Sequence, residues 1–228
     1  IEVICAAVPG YDSFDALNWY DEFLYKLKPD IAIIYLGFND LGQYHPFGLK
    51  YKNQILGYTN NSILGFLMKN FYTFRIPYYF IGRYERNKNV DKSELTVQEF
   101  EIVKNYFPDH YFNNMNSLIT NLKMDGVSVY LIPLTGLLNF DNITDEEMQK
   151  IIYPRGLNRK FYLFKAVYQK YKLALDSVSK ISNTRMIDLP SLITTPEDRM
   201  IFSDDCHINT SGSEIFGSFI ADEISEEI

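Results

Sequence analysis

At 228 residues the chain suits one compact domain, and an apolar content of 46% is enough to bury a core. A charged fraction of 22% argues against disorder, and a net charge of −7 without any Lys/Arg run argues against nucleic acid as a partner. Two cysteines, Cys5 and Cys206, are too few to imply a disulfide framework or a zinc site. Aromatic residues reach 16%, which fits either a Tyr/Phe-rich core or a surface for apolar or carbohydrate ligands.

Residues 2–7 form a short β-branched and apolar run that ends at Pro9-Gly10, the pattern of a strand and a turn. Phe14, Leu17, Tyr20, Leu24 and Leu27 then recur at helical spacing. Asp12 or Ser13 can cap this helix and Pro29 stops it, with Ser13 read as a capping residue. Residues 31–36 (IAIIYL) are almost wholly apolar, as in a strand of a parallel sheet covered on both faces. That run leads into the turn Gly37-Phe38-Asn39-Asp40.

Residues 41–95 read as an aromatic-rich insertion with some helix between Ser62 and Tyr72. The most apolar stretch, 62–84, is broken by Lys69, Arg75, Pro77 and Arg83, so it does not cross a membrane. As an amphipathic or lid-like segment it could touch a membrane surface or a partner through Phe66, Leu67, Phe71, Phe74, Tyr78 and Tyr79. The alternative is that these side chains cover the core beside a cleft.

After Pro108, Tyr111, Met115, Leu118 and Leu122 mark a helix, with Gly126 suited to its C-terminal cap. Residues 127–132 (VSVYLI) predict another buried strand, and Thr144 with Glu147 predicts a capping box. The stripe Phe161, Phe164, Tyr168, Tyr171, Leu175 and Val178 reads as a core face. Residues 185–189 predict a last strand, followed by a helix boxed by Ser211 and Glu214, with Ile215, Phe219, Ile220 and Ile224 inward. Alternating strands and helices give the α/β class with a parallel sheet and one domain over 1–228.

In open α/β sheets, ligands bind beyond the carboxyl ends of the strands. Three segments fall there: Val8-Pro9-Gly10, Gly37-Phe38-Asn39-Asp40, and Asp204-Asp205-Cys206-His207. At a spacing of three, Asp204 can aim its carboxylate at one nitrogen of His207 and leave the other free as a base. Alone, each feature has a plainer reading: a surface turn for Asp204 and His207, a turn cap for Asn39, a positive φ for Gly10. His45 and His110 read as exposed or satisfied loop histidines.

Together these segments are more specific. Val-Pro-Gly-Tyr after a strand, Gly-x-Asn-Asp after a second, and Asp-x-x-His-Ile-Asn-x-x-Gly before the final helix resemble the SGNH/GDSL hydrolases over nearly the whole chain. The resemblance implies a three-layer α/β/α, flavodoxin-like fold with a mostly parallel sheet. It implies an ester hydrolase (serine esterase, acyl hydrolase or deacetylase) with a catalytic triad and an oxyanion hole, acting on a small-molecule ester or an acylated carbohydrate or lipid. Gly10 and Asn39 would donate to the oxyanion, His207 would activate a serine, and Asp204 would orient His207. Gly37 and Asp40 would shape their turn, and no metal or organic cofactor is implied.

The family's first block, Gly-Asp-Ser-like, has no match in this chain. Ser13 and Ser203 lack the strand–turn setting of a nucleophile. The reading therefore expects an N-terminally truncated domain whose central first strand and serine lie upstream of residue 1. The alternative is a non-catalytic carbohydrate- or lipid-binding module on the same fold. Oligomeric state and compartment are not specified by these residues.

Overall fold

The computed structural model describes residues 2–47, 89–154 and 156–225. Its order begins α1 (Ser13–Glu22), β1 (Ile31–Ile34), α2 (Phe38–Gln43), α3 (Val97–Asn105) and α4 (Asp109–Met124). It continues β2 (Ser128–Leu131), α5 (Asp145–Lys150), α6 (Phe161–Ser182), β3 (Arg185–Met186) and α7 (Thr210–Ile224). The strands form one parallel sheet in the order β1-β2-β3. Ile31 stands beside Ser128, Ile34 beside Leu131, and Leu131 beside Met186. This is the α/β class with the parallel sheet that the sequence predicts.

Helices α4 and α6 form the main helical contact, and α4 also packs on α1 and β2. The stripe of α6 is buried as expected, from Phe161 to Val178. So is the stripe of α4, with Ile119 added to the predicted set. Gly126 closes α4 with φ +82°, its N–H reaching Lys123 O while Val127 N–H reaches Leu122 O. That satisfies carbonyls left over at the helix end. Thr144 and Glu147 make the predicted capping box.

Several expectations are corrected. Residues 2–7 are not a strand: among the described residues nothing pairs with them, and Val3 is 87% exposed. An apolar run becomes a strand only where its N–H and C=O groups meet a partner. The first helix is shorter than its periodicity suggests, ending at Glu22 and followed by a 3₁₀ turn at Leu24–Leu27. The last strand pairs only over Arg185–Met186, and Leu189 already opens a 3₁₀ turn. In α7 the cap is Asn209, not a Ser211–Glu214 box, and Phe216 is buried where Ile215 is exposed. The predicted helix within 62–72 and the docking segment at 62–84 lie outside the described residues.

Past the insertion, Asp91 bridges to Lys160 at the start of α6, through Asp91 N–H to Arg159 O and Phe161 N–H to Asp91 O. Lys160 also donates to Glu99 in the first turn of α3 at 2.7 Å. These bonds seat α3 on α6.

Candidate functional site

The Asp204–His207 turn is built by its own backbone. Ser203 N–H donates to His207 O at 2.7 Å, and Phe202 and Ile208 form an antiparallel bridge across the turn. Asn209 then caps α7, accepting from Gly212 N–H at 2.9 Å and donating to Met200 O at 3.0 Å. Gly212 lies so near Ile201 and Ile208 that a Cβ would stand 3.0 Å from each. The Asn-x-x-Gly after His207 thus fixes where α7 starts and how closely it meets the preceding turn.

Within the turn, one Asp204 oxygen accepts the backbone N–H of Cys206 (3.0 Å) and His207 (2.8 Å). The other lies 2.7 Å from His207 Nδ1. Burial works to raise the Asp204 pKa, but these backbone donors and the His207 ring outweigh it and hold the carboxyl below its usual range. An ionised carboxylate places the ring proton on Nδ1, so Nε2 carries the lone pair. The His207 side chain is 74% exposed, which leaves that nitrogen accessible. The sequence brought Asp204 and His207 together correctly.

The turn's inner side is acidic and enclosed. Asp205 is buried, and desolvation, then the neighbouring Asp204 charge, push its carboxyl up to about 6. Burial, then Asp205 and Asp204, raise the Cys206 thiol as well. Asp205 O accepts Leu137 N–H at 2.9 Å, and a Cβ on Gly136 would meet that same oxygen at 2.1 Å. Only glycine lets the loop after β2 come this close to the His207 turn. Sequence reasoning missed Gly136, although a glycine soon after a buried strand was a readable signal for close backbone approach.

The second part of the site follows β1. Gly37 has φ +130°, and a Cβ there would meet Leu134 and the Tyr111 ring at 3.0–3.2 Å, so conformation and space both require glycine. The segment is not a simple turn: Asn39 and Asp40 occupy the first turn of α2. Asn39 is exposed, and its side-chain amide donates to Tyr11 O at 2.8 Å. That bond joins Asn39 to the turn carrying Gly10, which has φ +85° and is exposed.

Asp40 is fully buried and holds the two segments together, accepting from the Ser13 backbone at 3.0 Å and from the Ser13 hydroxyl. Asn114 donates to the same hydroxyl at 3.0 Å. Ser13 is therefore not the cap of α1: Asp12 caps that helix, in a box with Asp15. His110 is not a loop histidine but lies in α4, its Nε2 3.4 Å from the Asp40 carboxylate and its ring against Tyr44. His45 is buried. Asp40 shapes the Asn39 segment, the role that sequence reasoning gave it.

Tyr35, next after β1, couples the two parts. Its hydroxyl donates to Thr135 O at 2.9 Å, and burial, then the nearness of Cys206 and Asp205, raises its pKa. The His207 turn thus adjoins the carboxyl end of β1. Nothing in the local sequence marked Tyr35, because its partners lie a hundred residues away.

In sequence, the chain matches no protein-family model and no curated protein. In structure it is similar to a GDSL-like lipase from Bacteroides thetaiotaomicron VPI-5482, with 13% identity and a TM-score of 0.52, over 96% of this chain and 73% of that one. It is also similar to a protein assigned as an acylhydrolase from Bacteroides fragilis NCTC 9343, at 13% identity and TM-score 0.53, over 96% and 72%. These similarities show the fold: an α/β/α arrangement of the SGNH/GDSL type.

Proposed function

We propose that this chain, with its hydrolase-type fold, is the His–Asp part of a serine ester hydrolase. The observation that carries the reading is the Asp204–His207 pair, 2.7 Å apart, with the imidazole 74% exposed. In this reading His207 Nε2 takes the proton of a serine hydroxyl as it attacks an ester carbonyl. Asp204 holds the tautomer and stabilises the imidazolium. His207 then returns the proton to the leaving alcohol, and water repeats the cycle on the acyl-serine. The oxyanion is held by Gly10 N–H and by the second N–H of the Asn39 amide, whose first is spent on Tyr11 O.

The serine stands on a Gly-Asp-Ser-like turn N-terminal to Ile1. Two observations support this. Among the described residues no serine hydroxyl bonds to His207, and Ser13 is committed to Asp40. The edge of β1 away from β2 also has no strand partner there, as a preceding strand would require. The substrate class is an acylated small molecule, carbohydrate or lipid, and the residues after β1 flank the place it would enter.

Fluorophosphonate labelling of the natural full-length protein, with the site mapped by mass spectrometry, tests the reading. The expected result is a label on a serine upstream of Ile1, lost in His207→Ala. Folded protein that takes no label would instead indicate a binding module.

A further inference from the structure

The same turn adds to the Asp204–His207 pair a third donor, Cys206, that ester hydrolysis does not use. Asp204, Cys206 and His207 each offer one ligand atom, and all of these atoms lie within 4.8 Å of one another. Cys206 Sγ is 3.8 Å from His207 Nδ1, and that nitrogen is 2.7 Å from Asp204 Oδ2. Tetrahedral coordination with ordinary zinc–ligand lengths separates such atoms by about 3.4–3.6 Å. The sulfur–nitrogen spacing is thus close to what a metal needs. The nitrogen–oxygen pair, at 2.7 Å, must open by about 0.7 Å, which an exposed imidazole does by rotating.

We propose that Asp204, Cys206 and His207 form a three-ligand site for a thiophilic divalent cation such as Zn²⁺, with a fourth position open to solvent. Thiolate and imidazole select Zn²⁺, Co²⁺ or Cu²⁺ over Mg²⁺ and Ca²⁺. Buried Asp205 adds a further acidic group on the protein side of the turn. On binding, the thiol gives up its proton to solvent as the metal–sulfur bond forms. The metal also takes the lone pair of Nδ1, so the ring proton moves from Nδ1 to Nε2. One proton is released per cation, and the nitrogen that acts as base becomes a donor. The cation therefore switches off His207. The binding claim rests on the geometry alone; the inhibitory consequence rests on the ester-hydrolase reading.

The test is Co²⁺ titration of the reduced natural protein, read by thiolate-to-cobalt charge-transfer absorption. The expected result is one Co²⁺ per chain with that absorption, displaced by Zn²⁺ and not by Mg²⁺. Cys206→Ser should abolish the absorption and weaken binding at least about 100-fold, as loss of a direct ligand exceeds the loss of an outer-shell partner. Cys5→Ser should leave the absorption intact. No absorption in the wild type, or absorption that persists in Cys206→Ser, overturns the proposal. Should Cys206→Ser fail to fold, the wild type decides: Zn²⁺ must protect Cys206, and not Cys5, from alkylation, and equal alkylation overturns the site. Cobalt binding without fluorophosphonate labelling would keep the metal site and remove the hydrolase reading. Labelling without cobalt binding would do the reverse.

Discussion

Asn39 has one amide hydrogen on Tyr11 O and sits at the start of α2, fixed from behind by buried Asp40. Its second amide hydrogen is the donor proposed for the oxyanion. Removing one such donor from an acyl-transfer site typically lowers kcat by about 10²- to 10³-fold. Asn39→Ala in the natural protein should therefore lower kcat by that order with a much smaller change in KM, measured by steady-state ester hydrolysis. An unchanged kcat would remove Asn39 from the oxyanion hole. Ser13 shows how context reassigns a residue: a helix-start serine that suits a cap is bonded instead to a carboxylate 27 positions away.

Among the elements, α6 packs against α2, α3 and α4 and buries nine aromatic and aliphatic side chains along its length. At its start Lys160 is almost buried and pairs with Glu99 of α3 at 2.7 Å. Lys160, then the Thr96 backbone, hold the Glu99 carboxyl below its usual range. The folded pKa is depressed, so this contribution is present above the unfolded value near 4.5 and is lost as pH falls through the lower folded value. Glu99→Gln should therefore destabilise the protein at pH 7 by about 1–3 kcal/mol, because a hydrogen bond between charged groups is lost beside a nearly buried ammonium. The difference from wild type should shrink as the pH is lowered below about 4. Thermal unfolding at the two pH values checks this, and an equal deficit at both would deny the ion pair its role.

For the whole molecule, the informative feature is the edge of β1 that no strand among the described residues covers. The carbonyls of Asp30 and Ile34 accept from Ser128 and Ile132 of the β2 side. Backbone groups alternate in direction along a strand, so those of Ile33 face the other way, and the residue is 42% exposed. A strand filling that edge would protect the Ile33 amide and cover its surroundings. Hydrogen exchange should thus show the Ile33 amide exchanging quickly in residues 1–228 alone and much more slowly in the natural protein. Equal, fast exchange in both would leave the edge open and weaken the case for an upstream serine strand.

The sequence by itself determined the parts whose cause is local or periodic. The α4 and α6 stripes, the Gly126 cap, the Thr144–Glu147 box and the two apolar strands follow from side-chain spacing and turn chemistry. The Asp204–His207 pairing was equally legible, because a spacing of three closes within one turn. Tertiary structure decided what depends on a distant partner. Residues 2–7 have a strand's composition but no partner strand among the described residues. Ser13 turned to Asp40, Tyr35 to Thr135, and Gly136 to the Asp205 carbonyl. The capping of α7 passed to Asn209 because Gly212 had to meet Ile201 and Ile208. In each case a backbone group or buried charge had to find its partner across the fold, and local sequence does not encode where that partner will stand.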